Sequence, residues 1–159
     1  MNVERNPAIL FVCTGNICRS PLAEGIVRQR ARRAGIALEL DSAGTHDYHV
    51  GEPPDPRARA VAARHGAPID DLRARQLRAE DFDRFDLILA ADRGHLAILQ
   101  RRRPAGARAE LALLAEWCRH PTEREVPDPY YEADEAFEAV HRLLEGCADG
   151  LLSRLAKGS

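Results

Sequence analysis

Lysine is almost missing from this chain of 159 residues: of 23 basic side chains only Lys157 is a lysine, and the rest are arginines. A bias in composition explains this first, and recognition of anions second. An excess charge of one sign is missing too, since 23 basic and 25 acidic side chains leave a formal charge of −2. Dedicated nucleic-acid binders are usually clearly basic, so no nucleic-acid partner is expected. No stretch approaches the roughly 18 consecutive apolar residues of a membrane span. Residues Met1 to Pro7 are polar, with no apolar leader and no cleavage site. No membrane partner and a cytoplasmic location are therefore expected. His46, His49, His120 and His141 show no ligand spacing, so neither a metal nor any other cofactor is expected. The four cysteines, Cys13, Cys18, Cys118 and Cys147, could form two disulfides, but in that compartment free thiols are expected. Cys118 and Cys147 read as packing residues, the latter because it lies on an apolar helical stripe.

What is present suffices for one domain with its own core. Ala8 to Val12 (AILFV) reads as a short buried strand. Ser20 is expected to cap a helix that opens at Pro21, with Glu24 near its start and Gly35 at its close. A second strand is expected over Ile36 to Leu40, a modest helix around Ala58 to Ala62, and a third strand over Phe85 to Ala90. Arg93 to Arg103 reads as a helix and Ala109 to Leu113 as a fourth strand. The last helix is marked by Phe137, Val140, Leu144, Cys147, Leu151 and Leu155, spaced by three or four residues. Strands alternating with helices predict an α/β fold: a single four-stranded parallel sheet with helices on both faces. Ligands bind such sheets beyond the carboxyl ends of the strands. The segment Cys13-Thr14-Gly15-Asn16-Ile17-Cys18-Arg19-Ser20 starts at such an end.

That segment has the makings of an anion site. A helix N-terminus leaves backbone N–H groups unpaired and carries partial positive charge. Gly15 permits a turn that gathers several of these groups into a nest, and Arg19 adds a planar fork for two oxygens of a tetrahedral oxyanion. The same positive field favours the thiolate of Cys13, a nucleophile aimed at a bound phosphorus. The bland alternative makes Cys13 a small buried residue in a strand-to-helix turn. Cys-x5-Arg alone is a weak pattern, for Cys118 to Arg124 matches it as well. That second copy has no glycine, holds Pro121 and Glu123, and opens no clear helix; Glu123 would repel a phosphate. It is rejected as a site. Asp128, between Pro127 and Pro129, sits in a stiff extended loop that can present one carboxyl as a general acid, although Asp before Pro is also an ordinary turn residue.

CTGNICRSPLAEG after an apolar strand, then DSAGT, then PDPYY resembles the low-molecular-weight protein tyrosine phosphatases, in order and over essentially the whole chain, residues 1–159. The resemblance implies hydrolysis of a phosphotyrosine protein or a small aryl phosphate, with inorganic phosphate as product and no metal. Cys13 would form a phosphocysteine, Arg19 would clamp the phosphate, and Asp128 would protonate the leaving oxygen and then activate water. Thr14, Gly15, Asn16, Ile17, Cys18 and Ser20 would line the phosphate. Of these, Asn16 would brace the loop and Ser20 would hydrogen-bond the sulfur. Ser42 and His65 would support Asn16, and Tyr48 with Tyr130 or Tyr131 would flank the aryl ring. An apolar Ile17 would suit that flat ring, whereas relatives acting on phosphoarginine carry threonine there. A reversible Cys13–Cys18 disulfide is also implied; Asp92 is assigned no role. A monomer or weak dimer is expected. An arsenate reductase on this scaffold would need thiols near residues 80–95, and none lies between Cys18 and Cys118. A silent phosphate-binding module is not favoured, because every reactive residue is present.

Overall fold

Strand β1, Ala8–Cys13, is six residues long and buried throughout, as its unbroken apolar run predicts. In the computed structural model, which describes residues 5–118 and 124–157, it is a central strand of the sheet. Helix α1 spans Arg19–Ala34, β2 Glu39–Gly44, α2 Pro56–Arg64 and the short α3 Asp81–Arg84. Then come β3 (Leu87–Ala90), α4 (Arg93–Arg102), β4 (Glu110–Leu113), a 3₁₀ turn (Leu114–Trp117) and α5 (Asp134–Lys157). The strands are all parallel, in the order β2-β1-β3-β4. Because strand side chains alternate, β1 serves two cores. Ile9, Phe11 and Cys13 pack with α1, α2 and α5 on one face, while Leu10 and Val12 pack with Phe82 and Leu99 of α3 and α4 on the other. This is the α/β fold with helices on both faces that the alternating pattern predicts.

Two boundaries and the state of two cysteines differ from expectation for physical reasons. The second strand lies later, over Glu39–Gly44 rather than 36–40. Pairing with the whole of β1, from Ala8↔Glu39 to Cys13↔Gly44, overrides the weak strand preference of Ser42, Ala43 and Gly44. Helix α1 starts at Arg19, and Ser20 is not its cap; Cys18 holds that position without a capping side chain. Finally, Cys118 and Cys147 are not separate packing thiols but a disulfide joining the end of the 3₁₀ turn to α5. The chain leaving β4 lies down on the apolar stripe of α5, an encounter between distant segments that spacing alone does not reveal. Among the described residues no helix is long and apolar enough to cross a membrane.

Candidate active site

At the carboxyl end of β1 the chain turns through residues 14–18 before entering α1. The turn is made by Asn16, not Gly15: Asn16 takes the left-handed conformation at φ 60°, the one non-glycine among the described residues with positive φ. Asparagine tolerates that region better than most residues, and its side chain is held at three points. Its Nδ2 donates to Ser20 Oγ (2.8 Å) and Ser42 Oγ (2.9 Å), and its Oδ1 accepts from the Arg75 amide (2.9 Å). The late course of β2 is what brings Ser42 into reach. Two glycines give the loop room: a Cβ on Gly44 would stand 2.6 Å from Thr14 O, and one on Gly15 would stand 2.8 Å from the His49 ring.

The consequence is a cradle. Among the described residues, the backbone N–H groups of residues 14–19 meet no protein acceptor. An N-cap hydroxyl would have consumed one of them; instead the Ser20 hydroxyl lies 3.0 Å from Cys13 Sγ, leaving the helix N-terminus open to an anion. Cys13 is buried and free, and so is Cys18. Burial, with the Asp55 carboxylate nearby, pushes the Cys18 thiol far up, so Cys18 is no competing nucleophile at neutral pH.

Arg19 is only 4% exposed, so its charge must be met within the protein. Its Nη1 donates to Asp92 Oδ2 (3.0 Å) and to Val126 O (3.1 Å), and its Nη2 lies 3.7 Å from Asp128 Oδ2. Asp92 thus has a role that the sequence reading did not assign. It also caps α4 by accepting from the His95 amide, and the His95 ring lies 2.7 Å from Thr14 Oγ1. The detectable signal was an aspartate just before a helix, a preferred cap residue. Nothing local marks His95 or Arg75.

The Asp128 loop closes the other side. Val126 is pinned by its amide to Ala91 O (2.8 Å), and Arg57 of α2 holds Tyr130 O (2.9 Å) and Glu132 O (3.2 Å). Asp128 Oδ1 accepts from the Tyr130 amide (3.0 Å), so Oδ2 is the oxygen that faces Arg19. Around them lies a cavity of about 230 Å³ lined by Cys13, Arg19, Ile17, Asp128 and the ring side chains Tyr48, His49, Tyr130 and Tyr131. Thr14, Gly15 and Cys18 also border it. His49 belongs to this wall and was missed by the sequence reading.

His65 is the exception among the expected residues. It does not support Asn16: at the end of α2 its Nε2 lies 2.6 Å from Glu138 Oε1 and its ring stacks on His141, because that end of α2 faces α5. The Arg75 amide provides the third bond to Asn16 instead. The rejected second copy, Cys118 to Arg124, runs across residues 119–123, as does His120, outside the described residues; its Cys118 is in the disulfide.

A cysteine on the floor of an open amide nest, with a buried arginine at its rim, is the arrangement of a cysteine-dependent phosphatase. Residues 8–159 match the family model of the low molecular weight phosphotyrosine protein phosphatases. A low molecular weight protein-tyrosine-phosphatase of Streptomyces coelicolor is 43% identical over 150 residues, covering 91% of each chain. The crystal structure of a protein tyrosine phosphatase from Entamoeba histolytica superposes with a TM-score of 0.92 at 34% identity, over 96% of this chain and 99% of that one. The structure of DARP, Drosophila arginine phosphatase, also matches, with a TM-score of 0.87 at 27% identity over 92% of this chain and 96% of that one. The chain belongs to the low molecular weight phosphotyrosine protein phosphatase family, and it is a phosphatase.

Two buried groups behind the cradle give a pH test. Burial pushes Glu24 up to about 7, against the hydrogen bond it accepts from Ser42 (2.8 Å). Burial holds His95 down to about 4, against the pull of Asp92. Between about 4.5 and about 7 the native state keeps a proton on Glu24 that the unfolded chain has released, so this group costs stability as pH rises. Between about 6.5 and about 4 the unfolded chain takes a proton that native His95 refuses, so His95 costs stability as pH falls. Glu24→Gln removes the first effect only. Its stability relative to the parent, from urea unfolding, is expected to be more favourable at pH 8 than at pH 5; a difference independent of pH would contradict the assignment.

Proposed function

We propose that residues 1–159 act as one domain that hydrolyses phosphotyrosine in proteins and small aryl phosphates through a phosphocysteine, releasing inorganic phosphate. The observation that carries this reading is the set of acceptor-free amides around Cys13 with Arg19 beside them. The phosphate oxygens take these amides and the Arg19 fork, which places phosphorus above Sγ. Sγ attacks, the bond from phosphorus to the tyrosine oxygen breaks, and Asp128 gives that oxygen its proton. The Asp128 carboxylate then takes a proton from water, whose oxygen attacks phosphorus as the phosphorus–sulfur bond breaks. The Ser20 hydroxyl, 3.0 Å from Sγ, stabilises the departing thiolate. Every step uses groups of the chain and water. Asn16, with Ser42 behind it, holds the loop in the conformation that aims the amides. We place the protein in the cytoplasm as a monomer or weak dimer.

Ile17, at the cavity wall with Tyr48 and Tyr130, makes the pocket suited to a flat ring. Hydrolysis of phosphotyrosine, phosphoserine and phosphoarginine, measured side by side with a chelator present, is expected to favour phosphotyrosine strongly. In the same panel Ile17→Thr is expected to shift the ratio of kcat/KM toward phosphoarginine by roughly tenfold, the scale of one lost apolar contact. A parent enzyme that prefers phosphoarginine would overturn the substrate reading. An unchanged ratio in the variant would show that Ile17 does not select the substrate.

A further inference from the structure

Outside the phosphate cavity, three side chains of the kind that bind metals meet where α2 ends on α5. His141 and Glu145 are four residues apart on α5 and so share one face. His65 comes from the end of α2. One ligand atom from each lies within 4.8 Å of the other two, and the two imidazole rings stack at 4.4 Å between centroids. His141 is the member that points to a ligand. It is 1% exposed, yet among the described residues neither ring nitrogen has a hydrogen-bond partner. Glu145 Oε1 stands 3.6 Å from its Nδ1, beyond hydrogen-bond range. Buried polar groups of proteins are nearly always satisfied, so an orphaned imidazole beside a second imidazole and a carboxylate calls for an acceptor of its lone pair.

We propose that His65, His141 and Glu145 bind one divalent transition-metal ion of the zinc class, which clamps the end of α2 to α5. Two imidazoles and one carboxylate are a donor set that such ions favour, with water in the fourth position. Metal–donor distances of about 2.0–2.2 Å put two donors of a tetrahedral ion roughly 3.4 Å apart, so entry draws these atoms together by on the order of 1 Å. That is within the reach of side-chain rotation. The surroundings already orient the donors. Arg30 holds Glu145 Oε2 (3.2 Å) and leaves Oε1 on the His141 side. Glu138 places Oε1 2.6 Å from His65 Nε2 while Arg64 holds its other oxygen (3.2 Å). Outer carboxylates of this kind fix the rings of metal-binding histidines. His65 and Glu145 are half-buried, which leaves the ion a path from solvent. Linear spacing shows none of this, because the histidines come from two helices far apart in the chain. The site does not depend on the phosphatase reading.

The test is titration of zinc chloride into the full-length Cys13→Ser protein, which lacks the reactive thiol as a competing ligand. One zinc per chain is expected to bind with a micromolar Kd and to raise Tm by mass action. Cobalt(II) is expected to give the visible absorption of a tetrahedral site with nitrogen and oxygen ligands. His65→Asn and Glu145→Gln, placed in the same background at half-buried positions to spare the core, are each expected to weaken zinc by at least about tenfold. Absence of saturable uptake below millimolar zinc overturns the proposal, as does uptake that both variants leave unchanged.

Discussion

Cys13→Ser is expected to lower hydrolysis of an aryl phosphate by on the order of 10⁶, to below detection, while the protein still binds inorganic phosphate. The two halves of the result separate two functions of one loop. In the proposed mechanism phosphate is held by backbone amides and by Arg19, none of which the substitution removes, and a serine oxygen fits where the sulfur stood. Covalent attack is another matter. A serine hydroxyl beside Ser20 keeps its proton at neutral pH, and it is a far weaker nucleophile than a thiolate. Turnover is measured with a chromogenic ester, and binding by calorimetry or by competitive protection against unfolding. Retained turnover would refute Cys13 as nucleophile. Loss of phosphate binding together with turnover would mean instead that the cradle has collapsed, which intact near-ultraviolet dichroism of the variant would exclude.

The second large effect belongs to Asp128. Asp128→Ala is expected to cut kcat by roughly 10²–10⁴, the usual worth of a positioned acid. The loss should be steepest for esters with basic leaving groups and shallow for activated ones, because only the former need a proton as the bond breaks. The geometry explains why a half-exposed carboxylate can do this. Two prolines stiffen the loop, Val126 is pinned to Ala91, Tyr130 is pinned by Arg57, and one oxygen is left toward the cavity. Asp128→Asn keeps the shape and removes the proton, so it should fail in the same substrate-dependent way. A uniform loss across leaving groups would assign Asp128 to binding or loop structure rather than to proton transfer.

The parts legible in the sequence were those whose chemistry is local. The β1 run, the glycine-containing turn, the arginine that follows and the proline-flanked aspartate are contiguous words, and the structure brings them to one cavity. What stayed hidden depends on distant chain segments. Ser20 has the chemistry of a cap residue, yet its hydroxyl is drawn to a sulfur and an asparagine that only the fold places beside it. The left-handed turn falls on Asn16 because Ser42, Ser20 and Arg75 hold its side-chain amide, and these three partners, two of them distant in the chain, outweigh the intrinsic freedom of Gly15. Asp92 grips Arg19 across the sheet, and His65 turns to α5 rather than to the loop, for the same reason. The Cys118–Cys147 pairing likewise depends on where the chain goes after β4.

Transfer of the phosphoryl group to sulfur is tested most directly by catching the intermediate. The Asp128→Ala protein, slowed in its second step for want of a base, is mixed with an aryl phosphate that has a good leaving group, quenched in milliseconds and digested for mass spectrometry. Phosphate on the peptide that starts at the end of β1, localised to Cys13 and formed at the rate of the first burst of phenol, is the predicted result. A burst with phosphate on any other side chain, or steady turnover with no phosphorylated protein at any time, would contradict it.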